Sequence, residues 1–87
     1  MPKLKELIDR LPEGYSEALF AGRRYGVTRR SFNAGRSLKV FAEELGGDDI
    51  ISLNAYRLAS GWRLNPCEMS SDKVLGFLEH QRPLRQT

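Results

Sequence analysis

One cysteine and one histidine stand in a chain of 87 residues. Cys67 has no partner for an intrachain disulfide, and with His80 it supplies too few ligands for a zinc site unless carboxylates complete it. Packing is expected to hold the fold, with no metal and no cofactor. No apolar run approaches the roughly 20 residues of a membrane span. The N-terminal PKLKELIDRLP carries charges where a secretory leader would be apolar. The expectation is a soluble, cytoplasmic protein with no membrane partner. Phosphate-binding glycine motifs are missing too: FNAGRS has a glycine-containing loop but neither the spacing nor the lysine of a P-loop, and there is no G-x-G-x-x-G. Nucleotide binding is not supported. The acidic residues Glu43, Glu44, Asp48 and Asp49 lack the pattern of a calcium loop and read as a solvated cluster.

What is present is ordinary globular composition, 40% hydrophobic and 29% charged, enough for one modest core and too little chain for two. A single domain is expected over residues 1–80. The C-terminal QRPLRQT, polar and without periodicity, is expected to be a frayed tail over residues 81–87.

Leu4, Leu7, Ile8 and Leu11 form one helical stripe, opened by Pro2 and closed by Pro12. SEALFAGRRYGVTRRSFN then reads as a hairpin with strands near 16–21 and 25–32, Gly22 and Gly26 being available for a turn or bulge. Alternation puts Tyr25, Val27 and Arg29 on one face of the second strand and Thr28, Arg30 and Phe32 on the other. Leu38, Phe41, Ala42 and Leu45 repeat at helical spacing between Ser37 as N-cap and Gly46 as C-cap, which predicts a second helix. DDIISLNAYRL alternates as a strand with Ile51, Leu53 and Ala55 on a dry face and Ser52, Asn54 and Tyr56 on a mixed one. A turn at residues 59–61 and a return strand from Trp62 to Asn65, ended by Pro66, complete a second hairpin. Ser70 caps a last helix, with Met69 and Val74 placed as a hydrophobic staple and Asp72 in the first turn. The expected fold is α+β in the order α-β-β-α-β-β-α: an antiparallel sheet of about four strands with helices on one face and the other face open.

Charge is unevenly placed. Arg23, Arg24, Arg29, Arg30, Arg36 and Lys39 form a basic segment with no acidic residue among them, and the four carboxylates of residues 43–49 follow at once. Arginine outnumbers lysine ten to four, which suits bidentate contact with phosphate or carboxylate. Two readings follow. The six basic residues can line an anion site, with Tyr25 or Phe32 as stacking surfaces and the helix start at Gly35-Arg36-Ser37 as a phosphate anchor. Alternatively, the basic and acidic runs can be salt-bridged neighbours. Tyr56 and Trp62 on the second hairpin read either as core aromatics or, with Tyr25, as interface anchors on an open sheet face.

Cys67 lies just before the last helix, where the dipole and Arg63 favour a thiolate and Glu68 opposes it. It reads as a structural thiol or, alternatively, as a catalytic one. A Cys67–His80 dyad would have to span most of the last helix, roughly 20 Å at about 1.5 Å per residue.

Taken together, GRRYGVTRRSFNAGRS, FAEELGGDDIISLNAYRL and LNPCEMSSDKVLGFL resemble a family of short bacterial proteins without an established activity, some of whose members are labelled peptide methionine sulfoxide reductase. That label implies a nucleophilic cysteine, which here is Cys67, yet the G-C-F-W segment and the paired C-x-x-C motifs of such reductases are missing from this chain. The reading the residues favour is a non-enzymatic binding domain for an anionic partner, nucleic acid or an acidic protein surface, that uses the basic hairpin and the open sheet face. The alternative is a thiol-dependent reductase using Cys67. Self-association through an edge strand or the open face is compatible with the first.

Overall fold

The computed structural model describes residues 3–84. Its elements are α1 (Leu4–Asp9), β1 (Gly14–Phe20), β2 (Arg23–Phe32), β3 (Ser37–Glu44), β4 (Ile50–Leu58), β5 (Gly61–Pro66), α2 (Ser71–His80) and β6 (Arg82–Pro83). Every neighbouring strand pair is antiparallel, and the six strands lie in the order β5-β4-β3-β2-β1-β6. Helices, sheet and hydrophobic core make one α+β domain.

The expected helix over residues 37–46 is a strand. Leu38, Val40 and Ala42 are all buried, and Lys39, Phe41 and Glu43 between them are exposed. A helix would have gathered Leu38, Phe41, Ala42 and Leu45 but stranded Val40 on its wet side. The strand reading places Val40 in the core, and β2 and β4 on either side satisfy the backbone groups a lone strand would leave unpaired. The segment before it is therefore a turn. Asn33, Ala34 and Gly35 take φ of 54°, 56° and 83°, left-handed values that Asn and Gly tolerate, and this reverses the chain from β2 into β3.

The expected order and strand count change accordingly, from four strands to six. The sixth comes from the segment expected to fray. Arg82 and Pro83 pair with Leu19 and Ala18, and the Leu84 N–H donates to the Glu17 carbonyl at 2.8 Å. Pro83 is compatible with this place because β6 is an edge strand. Pro2 and residues 85–87 lie outside the described residues.

Other expected elements are present. Both hairpins form, and Ala21-Gly22 makes the tight turn of the first. In α1, Leu7, Ile8 and then Leu11 are buried. A helix of six residues is far too short to persist alone, so its stability comes from burying these side chains, about 1.5–3 kcal/mol for each one fully removed from water. Ser70 caps α2 by accepting from the Lys73 N–H at 3.1 Å. Val74, Phe77 and Leu78 of α2 enter the core. There Phe77 meets Phe20 and Tyr25 edge-on, with ring centroids 5.2 and 5.6 Å apart, and fixes α2 over the first hairpin.

Both helices cover the same sheet face, that of Ala18, Val27, Val40, Ala42, Leu53 and Ala55. The opposite face is bare. Seven large apolar side chains are exposed in the described structure, and Tyr15, Phe32, Phe41, Ile50 and Tyr56 among them project from strands on that side.

Candidate anion-binding sheet face

Strand register fixes which side chains on the bare face are neighbours. Tyr15, Thr28, Phe41 and Ser52 stand in one line across β1 to β4. Two residues along, Arg30, Lys39, Asn54 and Asn65 form the next line, from β2 to β5. Beyond it come Phe32, Ser37, Tyr56 and Arg63. Lines two residues apart on a strand are separated by about 7 Å, and strands by about 4.8 Å, so the last two lines make a patch about 14 Å wide. Within it Phe32 stands beside Arg30, and Tyr56 beside Arg63. No carboxylate belongs to these three lines. Glu17 and Glu43 lie in the line on the far side of Tyr15 and Phe41, whereas Glu13, just before β1, shares a concavity of about 360 Å³ with Arg30 and Phe32 and accepts from Ser31 Oγ at 2.6 Å.

Two further concavities mark the patch. One, of about 400 Å³, is lined by Thr28, Arg30, Phe32, Lys39 and Phe41. The other, of about 330 Å³, is lined by Tyr56, Leu58, Arg63 and Asn65.

The six expected basic residues divide. Arg30 and Lys39 are cross-strand neighbours on the bare face and, like Arg36 and Arg63, form no ion pair among the described residues. Arg36 stands in the turn at the same end of the sheet, its Nε donating to the Asn33 carbonyl at 3.2 Å. No helix begins there, so the expected phosphate anchor at residues 35–37 does not exist.

The other three have partners within the fold. Arg23 pairs with Glu44 at 3.2 Å, and Arg24 pairs with Glu17. Arg29 faces the helices, with its side chain only 13% exposed. Its Nη1 donates to the carbonyls of Leu11 at 2.7 Å and Ile8 at 3.3 Å, and its Nη2 pairs with Asp9. The Ile8 carbonyl also accepts from the Leu11 N–H at 3.0 Å, so Arg29 binds the backbone of the turn that closes α1. The salt-bridge reading therefore holds for Arg23, which meets the acidic run, whereas Arg24 and Arg29 find carboxylates elsewhere.

The three expected anchors also divide. Tyr56 is on the bare face and 38% exposed. Tyr25 is not an interface residue: it is 2% exposed, and its hydroxyl donates to Asp49 Oδ2 at 2.7 Å. Burial, reinforced by the hydrogen bond to Asp49, pushes the Tyr25 phenol up to about 12. Asp49 also accepts from Lys73 Nζ at 2.8 Å. The Lys73 bond, then that from Tyr25, holds the Asp49 carboxyl below its usual range. This chain ties the β3–β4 turn to α2 and the first hairpin. Trp62 lies on the helix side, half-buried against the core, with Lys5 Nζ 5.9 Å from its ring centroid.

Cys67 is half-buried beyond the end of β5. Its N–H donates to the Ser52 carbonyl at 3.0 Å, and its Sγ accepts from Asn54 Nδ2 at 3.4 Å. The thiol thus neighbours the β5 end of the bare face, with an amide as its polar contact.

Tyr15, Phe41, Arg63 and Asn65 are members of the face that the sequence does not mark as site residues. Phe41 was assigned to the buried stripe of a helix. The signal that finds it is the every-second-residue pattern of 38, 40 and 42, which turns Lys39 and Phe41 outward together. No family model, curated protein or solved structure matches this chain.

Proposed function

We propose that this protein is a non-enzymatic binding domain that holds an anionic partner on its bare sheet face. The observation that carries this reading is the set of cations Arg30, Lys39 and Arg63, which project from β2, β3 and β5 among exposed rings and form no ion pair among the described residues. A side chain kept only for solubility needs no such company. Cations without internal partners have no existing ion pair to break before meeting an external anion, and three guanidinium or ammonium groups on one rigid sheet attract it together. On the helix-covered side, Arg23, Arg29 and Lys73 are already engaged by carboxylates or carbonyls.

Titration of isotopically labelled protein with a short heparin fragment tests the reading by amide shifts. The expected result is displacement of resonances in the central part of β2, β3, β4 and β5, around Arg30, Lys39, Asn54 and Arg63, with α1 and α2 unmoved. Shifts confined to the helices, or none at low salt, would overturn it.

A further inference from the structure

Resting on that reading, we propose that the anionic partner is a single-stranded nucleic acid, with bases stacked on Phe32, Phe41 and Tyr56 and phosphates held by Arg30, Lys39 and Arg63. Charge alone would not require the rings. Phe32, Phe41 and Tyr56 are 48%, 37% and 38% exposed, a state that costs apolar surface left in water, and each stands beside a cation in the register. An unstacked base offers a flat π-face to each ring while its phosphate reaches the neighbouring charge, which is how strand-binding sheets combine stacking with electrostatics.

The shape of the patch agrees. The concavity between Phe32 and Phe41 has Arg30 and Lys39 in its lining, so a base entering it places its backbone at both cations. The second concavity, at Tyr56 and Arg63, repeats the combination of ring and guanidinium two strands away. Asn54 and Asn65 lie in line with Arg30 and Lys39 and present amides suited to base edges. A duplex hides its base faces and would leave the three rings idle. An acidic peptide would engage the cations and equally leave the rings without stacking partners.

Fluorescence anisotropy with a labelled oligothymidylate of about eight nucleotides, run beside an abasic oligomer of the same length, separates the contributions. Oligothymidylate is expected to bind at least about tenfold more tightly than the abasic strand. Phe32→Ala, Phe41→Ala and Tyr56→Ala are each expected to weaken oligothymidylate binding about five- to tenfold and to leave abasic binding unchanged. Phe41→Tyr, which keeps a ring, restores it. All three positions are exposed, and thermal melts confirm that the variants fold.

Oligouridylate tells RNA from DNA, either one supporting the assignment. Equal affinity for abasic and base-bearing strands overturns this inference and leaves the anion-binding reading standing. So does binding of polyglutamate, or of phosphatidylserine vesicles, in preference to oligothymidylate. Failure to bind any of these polyanions overturns both.

Discussion

Arg29 shows how an arginine can belong to a basic run and yet have a structural task. Its guanidinium is turned away from the bare face and donates to the carbonyls of Ile8 and Leu11, where the short α1 ends. The Ile8 carbonyl shares its acceptor capacity with the Leu11 N–H, whereas the Leu11 carbonyl is the closer partner of Arg29 at 2.7 Å, and the cation lies at the negative end of the helix dipole. The Asp9 partner is 48% exposed, so that ion pair adds little, and the carbonyl bonds dominate. Arg29→Ala is expected to destabilise the protein by about 2–3 kcal/mol. Thermal unfolding should read this as a fall in Tm of roughly 10 °C or more for a domain of this size. Arg29→Lys should recover only part of it, because one ammonium cannot reproduce the planar fork. Arg30→Ala, one residue away on the opposite face, should lie within about 0.5 kcal/mol of the parent. Equal melting of the Arg29 and Arg30 variants would remove the distinction.

At the scale of elements, turn geometry directs the pairing of the first three strands. Phe20 and Arg23 are paired residues, so only Ala21 and Gly22 separate β1 from β2. Their φ values of 52° and 77° form the left-handed pair required by a type I′ hairpin. Gly22 takes this conformation without a Cβ penalty, whereas Ala21 pays one. Ala21→Asn is therefore expected to stabilise the hairpin by about 0.5–1 kcal/mol, raising Tm by a few degrees, while leaving binding unchanged. A lower Tm would contradict the turn assignment. The first hairpin, α1, α2 and its Ser70 cap were legible in the sequence, because each is specified by a local pattern, although the hairpin's turn lies at Ala21-Gly22 and not at the expected residues 22–24. The two faces of β2 and β4 were legible for the same reason, and on β4 Asn54 and Tyr56 were correctly turned outward, whereas on β2 the alternation grouped the residues without saying which face is covered, and Tyr25 was placed wrongly as an anchor. β3 was not legible, because its apolar residues satisfy helical spacing as well, and the decision belongs to β2 and β4, which are distant information for a local window. That one reassignment hid Phe41 and created a phosphate anchor that does not exist. β6 was illegible for a related reason: two polar-flanked residues become a strand only because β1 has an edge to offer.

Over the whole molecule, the distribution of charge has more consequence than its sum. The formal net charge of +3 is small, and a weakly positive protein attracts polyanions only diffusely. The fold sorts the cations of the basic run into two sets of opposite standing. Arg23 and Arg24 spend their charge on Glu44 and Glu17, whereas Arg30 and Lys39 stand together on the bare face and form no ion pair among the described residues. Two double variants isolate this, since Arg23→Ala/Arg24→Ala and Arg30→Ala/Lys39→Ala remove the same formal charge. Were net charge decisive, both would weaken oligonucleotide binding alike. If placement decides, Arg30→Ala/Lys39→Ala should reduce the magnitude of the slope of log affinity against log salt by about 1.4, as expected for two lost phosphate contacts on a single strand. Arg23→Ala/Arg24→Ala should keep the parent's slope, because those guanidiniums neutralise carboxylates of their own chain and release no counterions from a bound strand. Parallel shifts in both variants would show that the molecule acts through its overall field and that the bare face has no privileged part in binding.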